Sequence, residues 1–140
     1  MQTKEKILLY SATFWNFSDG MFGPLLAVFT QRIGGNILDV SWAWATYLVV
    51  TGLCVIVVGK LSDRYNKTVL LVLGYSLTTV FTFCYLLVDD TLSLLLVQAG
   101  LGLALSFSNP TWTALYDKYS DITKKGFAWG LVDEIGRAHV

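Results

Sequence analysis

The chain has 140 residues, the size of about one domain. Hydrophobic residues make up 54% of it and charged residues 14%, where average globular chains carry about a quarter charged. Lys plus Arg and Asp plus Glu balance at ten each, so no basic excess points to a nucleic-acid partner. The apolar residues come in long blocks: Ser41 to Gly59, Thr68 to Val88 and Thr91 to Tyr116 carry no charge, and Ile7 to Gln31 carries only Asp19. About 20 residues of helix cross the hydrocarbon core, so each block has the length of a membrane span. This excludes a soluble enzyme, a secreted disulfide scaffold and a disordered chain. Barrel strands are about ten residues long and alternate in polarity, which these blocks do not.

Backbone inside lipid must satisfy itself, so the spans are helical. The expected fold is an all-α membrane protein with helices at 7–30, 41–59, 68–88 and 91–115, and a fifth helix starting at 126 and running to 134. The first stretch is too long for a signal peptide and holds Asp19 with no small-x-small cleavage site nearby. Lys4, Lys6, Lys60, Arg64, Lys67, Lys118, Lys124 and Lys125 fall on one side of the membrane, and only Arg32 on the other. The positive-inside rule then places the N-terminus in the cytoplasm, in a multi-pass protein of the plasma (inner) membrane. Trp42 and Trp44 at one surface and Tyr116 and Tyr119 at the other suit an aromatic belt. Cys54 and Cys84 sit in apolar stretches and are expected as packing residues without metal or disulfide.

Residues 135–140, Ile-Gly-Arg-Ala-His-Val, match the translation of a common sequencing adapter. The adapter's first two bases require residue 134 to be Lys, Gln or Glu, and it is Glu134. The tail is therefore read as non-native and set aside, together with His139, and the identity of Glu134 is open. On that reading the chain is an N-terminal fragment.

The segment between the second and third spans reads Gly59-Lys60-Leu61-Ser62-Asp63-Arg64-Tyr65-Asn66-Lys67. It resembles the signature loop of the major facilitator superfamily of transporters, G-x-L-x-D-R-x-G-R-K/R. Asn66 stands where the family has Gly, and Thr68 replaces the last basic residue. Asn tolerates positive φ better than most residues, so the turn is expected to survive. Gly23 to Phe29, Gly100-Leu101-Gly102-x-Ala104 with Asn109-Pro110, and Ala114 to Asp117 with Lys124 to Leu131 resemble the family's first, fourth and fifth helices. The resemblance implies two six-helix halves around an alternating-access cavity, with a second half beyond this chain as partner. It implies that Asp63 and Arg64, supported by Lys67, latch the cytoplasmic side against a helix of that half. Gly59 is expected to let the second helix approach a neighbour closely. The alternative leaves the basic residues as topology determinants only.

Asp19 is the other outstanding residue. A charge at mid-bilayer costs about 2.5–3.5 kcal/mol, so it should face a cavity or a partner. Asn16, Asp19, Gly20 and Gly23 follow helical spacing, giving a small, polar face expected to point into the bundle. Asp19 is read as a coupling carboxylate that takes a proton or contacts a cation, with a purely structural Asp as the alternative. From either surface, Asp19 and Gln98 fall at similar depth, roughly 10–12 Å from the outer face at 1.5 Å per residue. Gln98 is a cavity residue or interhelical glue. Many drug–proton antiporters of the superfamily carry an Arg where this chain has Leu96, which weakens that form of coupling.

Asn109, Trp112 and Tyr116 form a polar-aromatic stripe that either contacts a small-molecule substrate through cation–π stacking or anchors the helix at the interface. No Walker A loop and no nucleophile–base set occur, so neither a cofactor nor enzymatic activity is expected. The expected function is proton-coupled secondary transport of a small solute, resembling a drug exporter. The alternatives are a four-helix membrane scaffold or assembly subunit without transport and, further off, a membrane enzyme.

Overall fold

The computed structural model describes residues 3–120 and 122–137, with side chains up to Asp133 except Ile122. Five α-helices follow one another: α1 Thr3–Arg32, α2 Ile37–Ser62, α3 Lys67–Cys84, α4 Thr91–Tyr119 and α5 Lys125–Arg137. Single 3-10 turns occupy Tyr85–Leu87 and Ile122–Lys124. There is no strand among the described residues. The α5 backbone continues into the segment set aside above, while residues 138–140, His139 included, lie outside the described residues.

Three helical stretches among the described residues are long and apolar enough to cross a membrane: Ile37–Ser62, Lys67–Leu87 and Thr91–Tyr119. The chain is thus an all-α membrane protein. At 30 residues α1 is about 45 Å long, more than a hydrocarbon core of about 30 Å requires. Asn16, Ser18 and Asp19 in its middle make it more polar than the other three.

The helix ends follow local chemistry. Gly34 closes α1 at φ +80°, a conformation that favours glycine, and the Gly35 amide donates to the Thr30 carbonyl at 3.0 Å. Asn36 then caps α2: its Oδ1 accepts from the Leu38 and Asp39 amides at 2.8 and 3.2 Å. The Asp39 carboxylate accepts from the Asn36 amide at 2.8 Å, completing a capping box. This cap starts α2 at Ile37, four residues before the charge-free block. Asp90 caps α4, accepting from the Ser93 amide at 2.8 Å and from the Ser93 hydroxyl.

Two compact units divide the chain: Met1–Leu25 with Ala114–Val140, and Leu26–Thr113. In the second, α4 lies between α2 and α3 and uses opposite faces for them. Gly100, Ala104 and Ser108 repeat every four residues and meet α3. A Cβ on Gly74 would come within 2.7 Å of the Ser108 amide nitrogen, and one on Gly100 within 2.2 Å of Phe81. Gly102 is about 200° around the helix from Gly100 and meets α2. A Cβ there would lie 2.6 Å from the Tyr47 carbonyl oxygen. The Thr51 hydroxyl donates to the Gly102 carbonyl at 3.2 Å. Lipid-soluble helices gain little from apolar contact with one another, so close backbone approach through small residues is what holds them. The central place of α4 shows in its apolar window, 44% buried against 11% and 17% for α2 and α3.

In the first unit, Glu5, Leu8 and Ala12 of α1 are buried, as are Leu115 and Tyr116 of α4 and Ala128 of α5. The Tyr116 hydroxyl donates to the Ala128 carbonyl at 2.9 Å, and its ring meets Trp129 edge-on at 5.4 Å. Lys125 pairs with Asp117 at 2.8 Å. Cys54 and Cys84 are free.

Candidate functional site

The loop of Gly59 to Lys67 is a tight connection made largely by backbone. The Arg64 and Tyr65 amides both donate to the Leu61 carbonyl, at 3.0 and 3.1 Å. Ser62 is buried, and its hydroxyl donates to the Gly59 carbonyl at 2.8 Å. These bonds satisfy carbonyls that a helix end would otherwise leave free. Asp63 is the C-cap of α2 at φ −74°. A helix C-terminus carries partial negative charge, so an anion there is disfavoured locally by about 0.3–1 kcal/mol. Asp63 and Arg64 are both exposed. Among the described residues, neither side chain makes a hydrogen bond or ion pair. Lys67 opens α3 half-buried.

Two sequence expectations about this loop are corrected. Asn66 does not use positive φ: it is extended, at φ −64° and ψ 116°. Its side chain accepts from the Thr68 amide at 2.9 Å, making it the N-cap of α3. The turn therefore needs a capping oxygen rather than a left-handed residue. Gly59 is not a point of close approach among the described residues, because a Cβ there would meet nothing within 4 Å.

Asp19 stands on a particular face of α1. Glu5, Leu8, Ala12, Asn16, Asp19, Gly23, Leu26 and Thr30 fall within an arc of about 80° at 100° per residue. Glu5, Leu8 and Ala12 at one end are buried, and so are Leu26 and Thr30 at the other. Asn16 and Gly23 are half-buried, and Asp19 and Gly20 are exposed. The stripe is covered at both ends and open where Asp19 stands.

The neighbouring polar side chains of α1 are satisfied within the helix. Ser11 donates to the Leu8 carbonyl, Thr13 to Leu9, Asn16 to Ala12 and Ser18 to Phe14, at 2.7 to 3.0 Å. An ionised carboxylate has no proton to donate to a carbonyl and cannot use this device. Among the described residues, Asp19 makes no hydrogen bond or ion pair.

Gln98 lies in the unit of residues 26–113 and is 2% exposed. Asn109 is exposed and Trp112 half-buried, while Leu96, the position of the antiporter Arg, is exposed. The stripe of Asn109, Trp112 and Tyr116 is not uniform. Tyr116 is fully buried, and its hydroxyl is committed to Ala128, so it neither anchors α4 at an interface nor offers itself to a substrate.

Sequence reasoning passed over Glu5, which is buried and lies within electrostatic reach of Tyr116. It also passed over Gly74, the α3 partner of the small face of α4. The spacing of Glu5, Leu8 and Ala12 was the available signal for the first, and a glycine inside a long apolar run for the second.

Long apolar helices joined by short, capped loops, one of them the charged Gly-x-Leu-x-Asp-Arg connection, define a multi-pass α-helical membrane protein. The family model of the Major Facilitator Superfamily matches residues 8–133. The chain belongs to that superfamily. An uncharacterized MFS-type transporter of Methanocaldococcus jannaschii is 29% identical over 91 residues, which is 65% of this chain and 24% of that protein. The chain thus matches about a quarter of the length of that relative.

Proposed function

We propose that the chain is the first part of a drug-exporter-like secondary transporter that moves a small solute by alternating access and couples it to protons through Asp19 rather than through an Arg at position 96. In this reading α1 is a fourth membrane span. A second helical half of the same protein completes the cavity, and the N-terminus lies on the cytoplasmic side of the plasma membrane, as the Lys and Arg distribution favours.

The observation that carries the reading is Asp19. It is the acid that stands where the stripe of α1 is uncovered, Glu5 on the same stripe being buried, and its neighbours' device for self-satisfaction is closed to it. A carboxylate so placed needs a proton, a cation or a donor from outside its helix, and exchanging one for another is the chemistry of coupling. Asn16 and Gln98 would contribute to the cavity lining, with Asn109 and Trp112 as substrate contacts. Gly59 and Lys67 frame the latch formed by Asp63 and Arg64, whose unpaired charges support a partner in the second half.

The test is transport by the whole protein in proteoliposomes with an imposed pH gradient. Asp19→Asn should abolish uptake or efflux driven by the gradient while leaving downhill exchange of the solute. Wild-type dependence on the gradient in that variant removes Asp19 from coupling. Reading the gene through codon 134 on unamplified DNA identifies the source of the second half.

A further inference from the structure

The membrane-surface end of the first unit gathers positive charge around one aromatic ring. The Lys4 ammonium sits 4.9 Å from the Tyr119 ring centroid, and the Lys118 ammonium sits 5.6 Å from the same centroid. Both lie within the range of cation–π attraction. Lys4 and Lys118 are exposed, and Tyr119 is half-buried. Among the described residues neither ammonium pairs with a carboxylate. Among the described residues, the nearby acids are otherwise engaged: Asp117 pairs with Lys125 at 2.8 Å, and Glu5 is buried beside Tyr116. Two like charges held on one ring repel each other, and an anion between them would relieve the repulsion.

The depth selects the anion. The membrane-crossing helix α4 has 29 residues and a length of about 43 Å, longer than a hydrocarbon core of about 30 Å, and Tyr119 is its last residue. Tyr119 and its two lysines therefore stand at headgroup level. The ring's edge suits the glycerol region and the ammonium groups the phosphate above it.

We propose that Lys4, Lys118 and Tyr119 form a binding site for the phosphate headgroup of an anionic glycerophospholipid, joining the start of α1 to the end of α4. This site is independent of the transported solute and of Asp19.

Native mass spectrometry of the detergent-solubilised chain tests it, with phosphatidylglycerol and phosphatidylcholine as added lipids. Phosphatidylglycerol should bind about thirtyfold more tightly than phosphatidylcholine, as two lysines at a membrane surface imply. Lys4→Gln with Lys118→Gln should erase that preference. The charge-matched pair Lys6→Gln with Lys124→Gln should keep it, and Tyr119→Leu should weaken it at unchanged helix content. Equal loss in both lysine pairs would mean diffuse attraction by net charge and would overturn the site. Displacement of the lipid by an equal concentration of inorganic phosphate would overturn the lipid assignment in favour of a free anion. Equal binding of the two lipids would overturn the proposal outright.

Discussion

The Tyr116 hydroxyl donates a 2.9 Å hydrogen bond to the main-chain carbonyl of Ala128, tying the last turns of α4 to the first turns of α5. Both residues are buried, so the bond is not traded for one to water. A neutral bond of this kind contributes about 1 kcal/mol, or about a fivefold change in an opening equilibrium. Tyr116→Phe keeps the ring against Trp129 and removes only the hydroxyl. Hydrogen exchange at the amides of Gly126 to Asp133 should speed up about fivefold, with α2 and α3 unchanged. Unaltered exchange in α5 would show that ring packing alone holds it.

Gly52, Gly74, Gly100 and Gly102 divide by what stands opposite them. Gly74 and Gly102 face backbone atoms, at 2.7 and 2.6 Å from a built Cβ, so Ala at either position forces the helices apart. Overpacking of this kind costs about 1–3 kcal/mol. Gly100 faces the Phe81 ring, a side chain that can be shortened. Gly52 faces open space. Thermal unfolding in detergent should rank Gly74→Ala and Gly102→Ala as destabilised and Gly52→Ala as unchanged or improved. Phe81→Ala should rescue Gly100→Ala but not Gly74→Ala. Rescue of both would mean that the contacts are made by side chains after all.

Much of this architecture was legible from charge-free runs, because a span must be long and apolar whatever its packing. The ends were less so. Helix α2 begins at Ile37 because Asn36 and Asp39 cap it, a polar signal lying outside the apolar block that marked the span. The small face of Gly100, Ala104 and Ser108 was readable from its four-residue repeat, but its partner Gly74 was not, since pairing depends on which helices neighbour each other. Tyr116 was misread because an aromatic at the end of an apolar run serves a lipid interface or a helix contact equally well. Asp19 stood out in the sequence as a charge inside an apolar run, and Asp63 as part of the loop that resembles the family signature. What they face belongs to tertiary structure.

Asn66 offers a direct check on the signature loop. Its role is to cap α3 through Oδ1, at a φ any residue adopts. Loss of an N-cap oxygen costs about 0.5–2 kcal/mol with Ala, and a few tenths with Gly. Asn66→Ala should lower the unfolding midpoint, Asn66→Asp should hold it, and Asn66→Gly should fall close to wild type. A requirement for left-handed backbone would instead make Gly the best residue at this position, more stable than wild type.

Asp90 gives the chain an acid-sensitive helix start. The Ser93 hydroxyl, and then the Ser93 amide, hold its carboxyl below the ordinary value of 3.8. A group with a lowered folded pKa contributes stability above its unfolded pKa and loses it as pH falls through the folded value. The contribution of the cap is therefore complete at neutral pH and disappears only in strong acid, below about pH 4. Carbon NMR of the Asp90 carboxyl should report the lowered titration, and Ser93→Ala should move it up towards the ordinary value. Asp90→Asn should flatten the acid limb of the stability profile. An unshifted titration in Ser93→Ala would mean that the hydroxyl is not what holds the proton off.

Asp63 tests the latch without disturbing the fold. It caps α2 at the end where the helix dipole disfavours an anion, and it has no partner among the described residues, so local stability gives no reason for its charge. Asp63→Asn should leave the melting of this chain unchanged or slightly raised. In the whole transporter the same variant should lose the attraction between the carboxylate and the opposing helix N-terminus, about 1 kcal/mol, and shift the inward-to-outward population about fivefold. Spin-label distances across the cytoplasmic side read that population. A fivefold shift with unchanged melting assigns the charge to the conformational equilibrium. Unchanged distances would leave Asp63 as a loop residue, and the basic side chains around it as determinants of topology alone.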